Sequence, residues 1–386
     1  MNKKDLHFLL NFSIIRGLYL YYFLVMNSDK KTIVVAMSGG VDSSVVAAML
    51  HKAGHNVIGI TLQLYDYGMA LQKQGACCAG QDIYDAKMVA DNLGFPHYIF
   101  DYESKFKQEV IDDFADSYIR GETPLPCVKC NQSVKFKDLL KAAKELNADA
   151  LATGHYVQKI ENNGISELHQ GKSLAKDQSY FLFSTTQEQL DFLMFPLGGY
   201  SKDQTREIAQ EFGLEVADKP DSQDICFVPN GNYRDVINKV RPNASAPGRF
   251  IHTDGFDLGE HRGIINYTVG QRKGLGIAYG DPIYVIRIDP ESNTVYVGPE
   301  SEVIKTQFLL KDINWLASDI NPNNLEISVK IRSTTPGVRA KIDSVSDNQI
   351  KVTLLEQEKA ITPGQACVFY HKSRILGGGW ITREIE

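Results

Sequence analysis

A short β-branched run, Thr32 to Ala36 (TIVVA), leads directly into Ser38-Gly-Gly-Val-Asp-Ser-Ser44, and helix-like spacing begins at Val45. A run that is apolar on both faces belongs inside a parallel sheet. A glycine-rich turn between such a strand and a helix gathers backbone N–H groups and the positive end of a helix dipole at one point, which suits a phosphate. Ser38, Ser43 and Ser44 add hydroxyl donors. Asp42 repels phosphate unless a Mg²⁺ ion lies between them. No Lys-Ser/Thr pair follows, so this is not a Walker A loop.

The same alternation continues downstream. Helical spacing over 45–52 stops near Gly54, and 56–64 reads as a second strand. Helices are expected over 83–93, 105–120 and 133–146, with strands over 97–100 and 150–153. This order predicts an α/β fold with an open parallel sheet and helices on both faces. After about Asp224 short alternating strands and Gly/Pro turns dominate. The stretch from Leu325 to Glu386 holds several candidate antiparallel strands (EISVKIR, VRAKIDSV, QIKVTLLE, ACVFYHK), which predict a small closed or sandwiched β domain. The expected division is an N-terminal extension over 1–29, a nucleotide-binding domain over 30–232, a small central β-rich domain over 233–300 and a C-terminal barrel-like domain over 301–386.

The 386 residues leave room for two or three domains, and a net charge of -6 gives no global sign of nucleic-acid binding. Any RNA contact must therefore be local. The cluster Lys129, Lys135, Lys137, Lys141 and Lys144 reads first as a solvated helix face. Six cysteines are too sparse for a disulfide scaffold and fit reactive or metal-binding roles in a reducing compartment. Leu6 to Met26 is apolar and aromatic but carries Arg16 at its centre, which costs several kcal/mol in a membrane span. It also lacks a small-residue cleavage site. The expectation is that translation starts at Met26, that the protein is cytoplasmic and that it has no stable membrane association.

Cys127 and Cys130 lie in PLPCVKCNQSVKF, and Cys226 lies in DSQDICF. A persulfide relay needs two cysteines that can meet, one carrying the sulfane sulfur and one releasing it. Cys77 and Cys78 read as loop residues, Cys367 as core, and His155 as a structural histidine. Arg272 and Lys273 in GQRKG fit an RNA phosphate or a solvated turn equally well.

The loop SGGVDSS resembles the PP-loop of ATP pyrophosphatases, which split ATP between the α- and β-phosphates and place AMP on a carbonyl or amide oxygen. Together with GETPLPCVKCNQSVKF, ATGHY, KDQSYFL, YTVGQRKGLGI, TPGQACVFY and ILGGGW, the chain resembles the tRNA-specific 2-thiouridylases from about Thr32 to Trp380. The resemblance implies a PP-loop parallel sheet domain, a small central domain and an antiparallel barrel-like domain. It implies ATP-dependent 2-thiolation of the tRNA wobble uridine, with ATP and Mg²⁺ as cofactors. The implied partners are tRNA and a sulfur-relay or cysteine desulfurase donor. Ala36, Met37, Ser38, Gly39, Gly40, Val41, Asp42 and Ser43 would bind ATP, with Leu62 and Gly154 at the adenine and ribose and Asp42 meeting Mg²⁺ through phosphate. Leu125, Pro126 and Cys127 would lie beside the target base. Lys176, Asp177 and Gln178 would touch tRNA, as would Arg332 and Ser333 from the barrel. Cys130 would be the nucleophile and Cys226 the persulfide carrier, ending as a Cys130–Cys226 disulfide.

One position departs from the family pattern. Many members have Asp where this chain has Cys127, and that Asp is a proposed acid/base. The change leaves Cys127 as the candidate acid/base or, alternatively, as a ligand with Cys130 and Cys226 to an iron–sulfur cluster with one open iron. A zinc site lacks an evident fourth ligand. Persulfide chemistry needs thiolate character, so electropositive surroundings are expected at the cysteines. The alternatives of other classes are an ATP-using ligase for a small molecule, against which the paired cysteines and terminal β domain speak, and a non-catalytic RNA- or nucleotide-binding protein.

Overall fold

The computed structural model describes residues 29–65, 78–221, 225–228, 231–321, 325, 327–346 and 348–383. The readings made on Leu6 to Met26 and on Cys77 lie outside the described residues, as do Ser222, Gln223 and Asp224 of the DSQDICF segment.

Five strands form the expected parallel sheet. They are β1 (Thr32–Ala36), β2 (Asn56–Gln63), β3 (His97–Asp101), β4 (Ala150–Ala152) and, after a hairpin given below, β7 (Leu193–Met194), in the order β3-β2-β1-β4-β7. The order reverses between β1 and β4, so the loops leaving their carboxyl ends open a crevice there, the usual ligand position in such sheets. Strand β1 is buried on both faces. Ile33 and Val35 pack with Val45 and Leu50 of α1 (Val41–Lys52) and with Ala86 and Val89 of α2 (Cys78–Leu93). Val34 points the other way, into a core with Phe136, Leu139 and Leu140. Each such aliphatic side chain contributes roughly 1.5–3 kcal/mol of burial free energy.

Helix α3 runs through Glu103–Phe106, a π-type stretch Lys107–Ile111, and Asp112–Ile119. Helix α4 runs through Pro126–Cys130, a π-type stretch Asn131–Leu139, and Leu140–Glu145. The expected start at Ser133 is thus too late. Pro126 sits in the first turn, where its missing N–H costs nothing, so PLPC opens the helix instead of preceding it. Cys78, expected in a loop, likewise opens α2.

The hairpin β5 (Val157–Asn162) and β6 (Ile165–Gln170) leaves the nucleotide-binding region and joins the C-terminal barrel. Helices α5 (Gln187–Phe192) and α6 (Lys202–Glu211) follow, each opened by a capping box, and then α7 (Tyr233–Val240). The central sheet has the order β10-β11-β8-β9, from β8 (Gly248–His252), β9 (Asp257–His261), β10 (Tyr284–Asp289) and β11 (Thr294–Gly298). The barrel comprises β12 (Ile304–Trp315), β13 (Ile327–Lys330), β14 (Val338–Ser346), β15 (Gln349–Lys359), β16 (Ala366–His371) and β17 (Arg374–Ile381). All its pairings are antiparallel, and β12 pairs with both β15 and β17, which closes it. β6 attaches to β17 at the Arg374–His169 pair.

Candidate active site

The nucleotide loop is built by its own side chains. Ser38 N donates to Ser43 Oγ (3.1 Å), and the two hydroxyl oxygens lie 3.3 Å apart. Gly39 has φ +75°, and a Cβ there would overlap the Asp82 carbonyl. Gly154, leaving β4, lies so close to α1 that a Cβ would fall 3.0 Å from Asp42 Cβ and Ser43 N. The structure thus brings Gly154 against Asp42 and Ser43. Leu62, near the end of β2, packs into the cores on either side of it. Ser44 Oγ is buried without a hydrogen-bond partner. The donors here are hydroxyl and carboxylate oxygens, hard ligands that suit Mg²⁺. Asp42 is engaged: it accepts from Tyr156 Oη (2.7 Å) and from Lys202 Nζ (2.8 and 2.9 Å).

Cys130 is buried in a core shared with Phe106, Phe114, Phe227 and Val228. Phe227 meets Phe106 and Phe114 edge-on at 5.8 and 5.2 Å. The residue after Cys226 is therefore locked into the core that holds Cys130. The thiols of Cys127 and Cys130 both press on that of Cys226 electrostatically, and Tyr65 hydrogen-bonds to it. None of Cys127, Cys130 and Cys226 is joined in a disulfide. As residues Cys127 and Cys226 are exposed, yet burial is the largest influence on each thiol. It raises Cys127 and Cys130 and pushes Cys226 up to about 12. Lys135, five positions beyond Cys130 on the π-type stretch of α4, pulls all three back down.

The expectation of thiolate-favouring surroundings is therefore corrected: desolvation outweighs the one lysine. The alternative of an iron–sulfur site on Cys127, Cys130 and Cys226 is not supported either. Among the described residues no group of three or more His, Cys, Asp or Glu side chains is placed to hold a metal ion. His155 hydrogen-bonds to Thr153 Oγ1 (2.8 Å) and meets Phe136 edge-on. Burial, and then Lys135, lower its pKa to about 3, so it is neutral. Cys367 is fully buried in the barrel core.

Leu125 caps α4, Pro126 is buried and Cys127 faces outward. Of the residues expected at tRNA, Asp177 spends its carboxylate on the turn, accepting from Gly171 N (3.0 Å), Ser179 N (3.1 Å) and Ser179 Oγ (2.7 Å). Gln178 Oε1 accepts from Tyr156 N (2.9 Å), and Lys176 Nζ donates to Asp221 (2.8 Å). In the barrel, Arg332 Nη2 donates to the carbonyls of Lys359 (3.0 Å) and Ala360 (2.5 Å), beside half-buried Ser333.

Several neighbours of the nucleotide loop escaped the sequence reading. Lys219 Nζ donates to Gly39 O (3.0 Å), Asp82 (2.7 Å) and Asp85 (2.5 Å). Lys202, Arg206 and Asp221 join the same cluster. Two signals were present: Ser201-Lys-Asp-Gln204 is a capping-box pattern that fixes where Lys202 stands, and Lys219-Pro220 directly precedes the DSQDICF motif, which Asp221 opens.

Comparison with known proteins gives three family matches in chain order. A tRNA methyl transferase HUP domain matches residues 31–230, a tRNA methyl transferase PRC-barrel domain matches 234–299, and an aminomethyltransferase beta-barrel domain matches 305–381. Relatives named tRNA-specific 2-thiouridylase MnmA from Rickettsia africae (strain ESF-5) and Rickettsia conorii (strain ATCC VR-613 / Malish 7) are each 66% identical over 94% of this chain. The alignments cover 99% and 98% of those proteins. Among solved structures, the U34-tRNA thiolase NcsA from Methanococcus maripaludis aligns at a TM-score of 0.37 and 16% identity. That match covers 59% of this chain and 72% of that one, too loose a likeness to carry an argument. No helix among the described residues is long and apolar enough to cross a membrane.

Proposed function

Because the chain belongs to the tRNA-specific 2-thiouridylase family, we propose that it adenylates the C2 oxygen of the tRNA wobble uridine with ATP and replaces that oxygen with sulfur from a cysteine persulfide. At the coarser level it is a PP-loop sulfurtransferase that 2-thiolates tRNA. The observation that carries the finer reading is the shared core of Cys130 and Phe227, which draws the segments bearing Cys130 and Cys226 together.

The uracil C2 oxygen is a poor leaving group. Its attack on the α-phosphate expels pyrophosphate and converts it into AMP, a good one. Ala36 to Ser43 hold the phosphates with backbone N–H groups and hydroxyls, and Gly154 closes the side of the cradle. Mg²⁺, when bound, would be held by Asp42 and the phosphates and would offset their charge. The terminal sulfur of a Cys226 persulfide forms a bond to C2 as the C2–O bond to AMP breaks. The Cys130 thiolate then attacks Cys226 Sγ. The persulfide S–S bond breaks, its electron pair stays on the sulfur at C2, and a Cys130–Cys226 disulfide forms. An external dithiol reduces that disulfide, and a sulfur-relay or desulfurase protein reloads Cys226.

Cys127, kept protonated by burial, serves as an acid and not as a base. Burial raises both reacting thiols, and Lys135 is the cation that opposes it and favours the thiolates that react. Lys176, Arg332 and Ser333 are the residues offered to tRNA.

The test is thiolation of a tRNA transcript with purified protein, ATP, Mg²⁺ and a persulfide source. Cys226→Ser is expected to lose at least about 10³-fold of the thiolation rate while retaining ATP binding, as removal of a covalent nucleophile does. Full activity in Cys226→Ser would overturn the assignment of the sulfur carrier. Pyrophosphate release that needs no RNA would favour a ligase acting on a small molecule.

A further inference from the structure

Lys202 stands where a lysine is unfavourable. It is the first residue of α6, fixed there by the Ser201–Gln204 capping box, and the positive end of the helix dipole opposes a cation. Its side chain is 11% exposed, and its ammonium is shared between carboxylates from two distant segments. One is Asp42 of the nucleotide loop, at 2.8 and 2.9 Å. The other is Asp221, at 2.8 Å.

Asp221 gathers three cations: Lys202, Lys176 (2.8 Å) and Arg206 (2.9 Å). Arg206 also donates to the carbonyls of Ala217 (2.7 Å) and Lys219 (3.0 Å), and Lys219 reaches back to Gly39 O. The chain from Ala217 to Asp221 is therefore tied twice to the nucleotide loop. Cys226 follows Asp221 by five residues, a reach of at most about 18 Å of extended chain. On its far side Phe227 is packed between Phe106 and Phe114.

We propose that Lys202 is a positioning residue that transmits the occupancy of the nucleotide loop, through Asp221, to the placement of Cys226. The proposal rests on the nucleotide and persulfide reading above. Polyphosphate at the loop competes with Asp42 and Asp221 for one ammonium. Because α6 is anchored by its cap and its buried face, the exchange is felt on the Asp221 side. Charge loaded at the site of adenylation then alters how firmly the sulfur-bearing segment is held, which orders the two half-reactions.

The experiment uses the full chain with α,β-methylene-ATP and Mg²⁺. The iodoacetamide alkylation rate of Cys226 is read by peptide mass spectrometry, and nucleotide binding by calorimetry on the same samples. Nucleotide is expected to change the Cys226 rate about fivefold or more in the native chain, within the usual range of coupling between sites. In Lys202→Met the nucleotide binds more weakly and, at concentrations that calorimetry shows to be saturating, the change is lost; Lys202→Arg restores it. Asp221→Asn, which leaves the Lys202–Asp42 contact intact, must show the same loss and decides the matter if Lys202→Met does not fold. An unchanged response in both variants, or native binding without any change at Cys226, overturns the proposal. Absence of binding to the native chain would instead overturn the nucleotide reading beneath it, and calorimetry separates the two.

Discussion

His155 shows how burial sets charge at a single residue. Its pKa of about 3 lies below the ordinary 6.5, so the unfolded chain binds the proton more tightly across that interval. Stability supplied by the neutral ring is complete above 6.5 and is lost as pH falls toward 3. Urea denaturation at pH 7 and pH 5 should show a drop in stability that is smaller in His155→Leu. The thiols follow the opposite sign. Cys226 rises from 9 to about 12, so raising the pH through that window favours unfolding. Lys135 opposes burial at Cys127, Cys130 and Cys226 alike. Lys135→Met is expected to slow alkylation of Cys130 and Cys226 at pH 8 by roughly threefold to tenfold, since tenfold corresponds to one pH unit in the thiol midpoint.

Among the elements, the glycines divide what could be read from what could not. The strand–loop–helix around SGGVDSS declares itself because every residue in it serves the same geometry. Gly39→Ala should cost about 1–3 kcal/mol in urea denaturation and weaken ATP binding, because φ is +75° there and the Asp82 carbonyl fills the space of a Cβ. The parallel sheet was equally legible from its apolar runs and helical spacings.

Strand β17 was not. Three successive glycines, Gly377 to Gly379, argue against a strand, yet each sits where a neighbour presses close. A Cβ on Gly378 would lie 2.6 Å from Cys367 O and 2.8 Å from Phe183 Cδ2. That requirement arises from partners distant in sequence. The start of α4 was hidden for a local reason, a proline that reads as a breaker but is harmless in a first turn. The ion cluster around Asp221 was hidden because its members come from segments near 42, 176, 202 and 221, and pairing between them is a tertiary fact.

For the whole molecule, the decisive joint is Arg374. It begins β17, pairs with Glu167 of β6 at 2.9 Å and also grips Asp319. Arg374 is 11% exposed and Glu167 8%. Removing one partner of a buried pair strands the other, so Arg374→Met should destabilise by about 3 kcal/mol, at the lower end of the usual range because His169 and Asn162 still bond Glu167. Urea denaturation measures the loss. Limited proteolysis between the nucleotide-binding region and the barrel should show cleavage in the variant before global unfolding.

The splice of β5 and β6 into the barrel makes the enzyme a caliper. Its jaws are the PP-loop crevice and the barrel, and their gape is set by hydrogen-bonded strands instead of a linker. On the tRNA contacts proposed above, stem length and curvature are what such a caliper gauges, so a hairpin shortened by a few base pairs should bind at one jaw and never seat its loop nucleotide at the other.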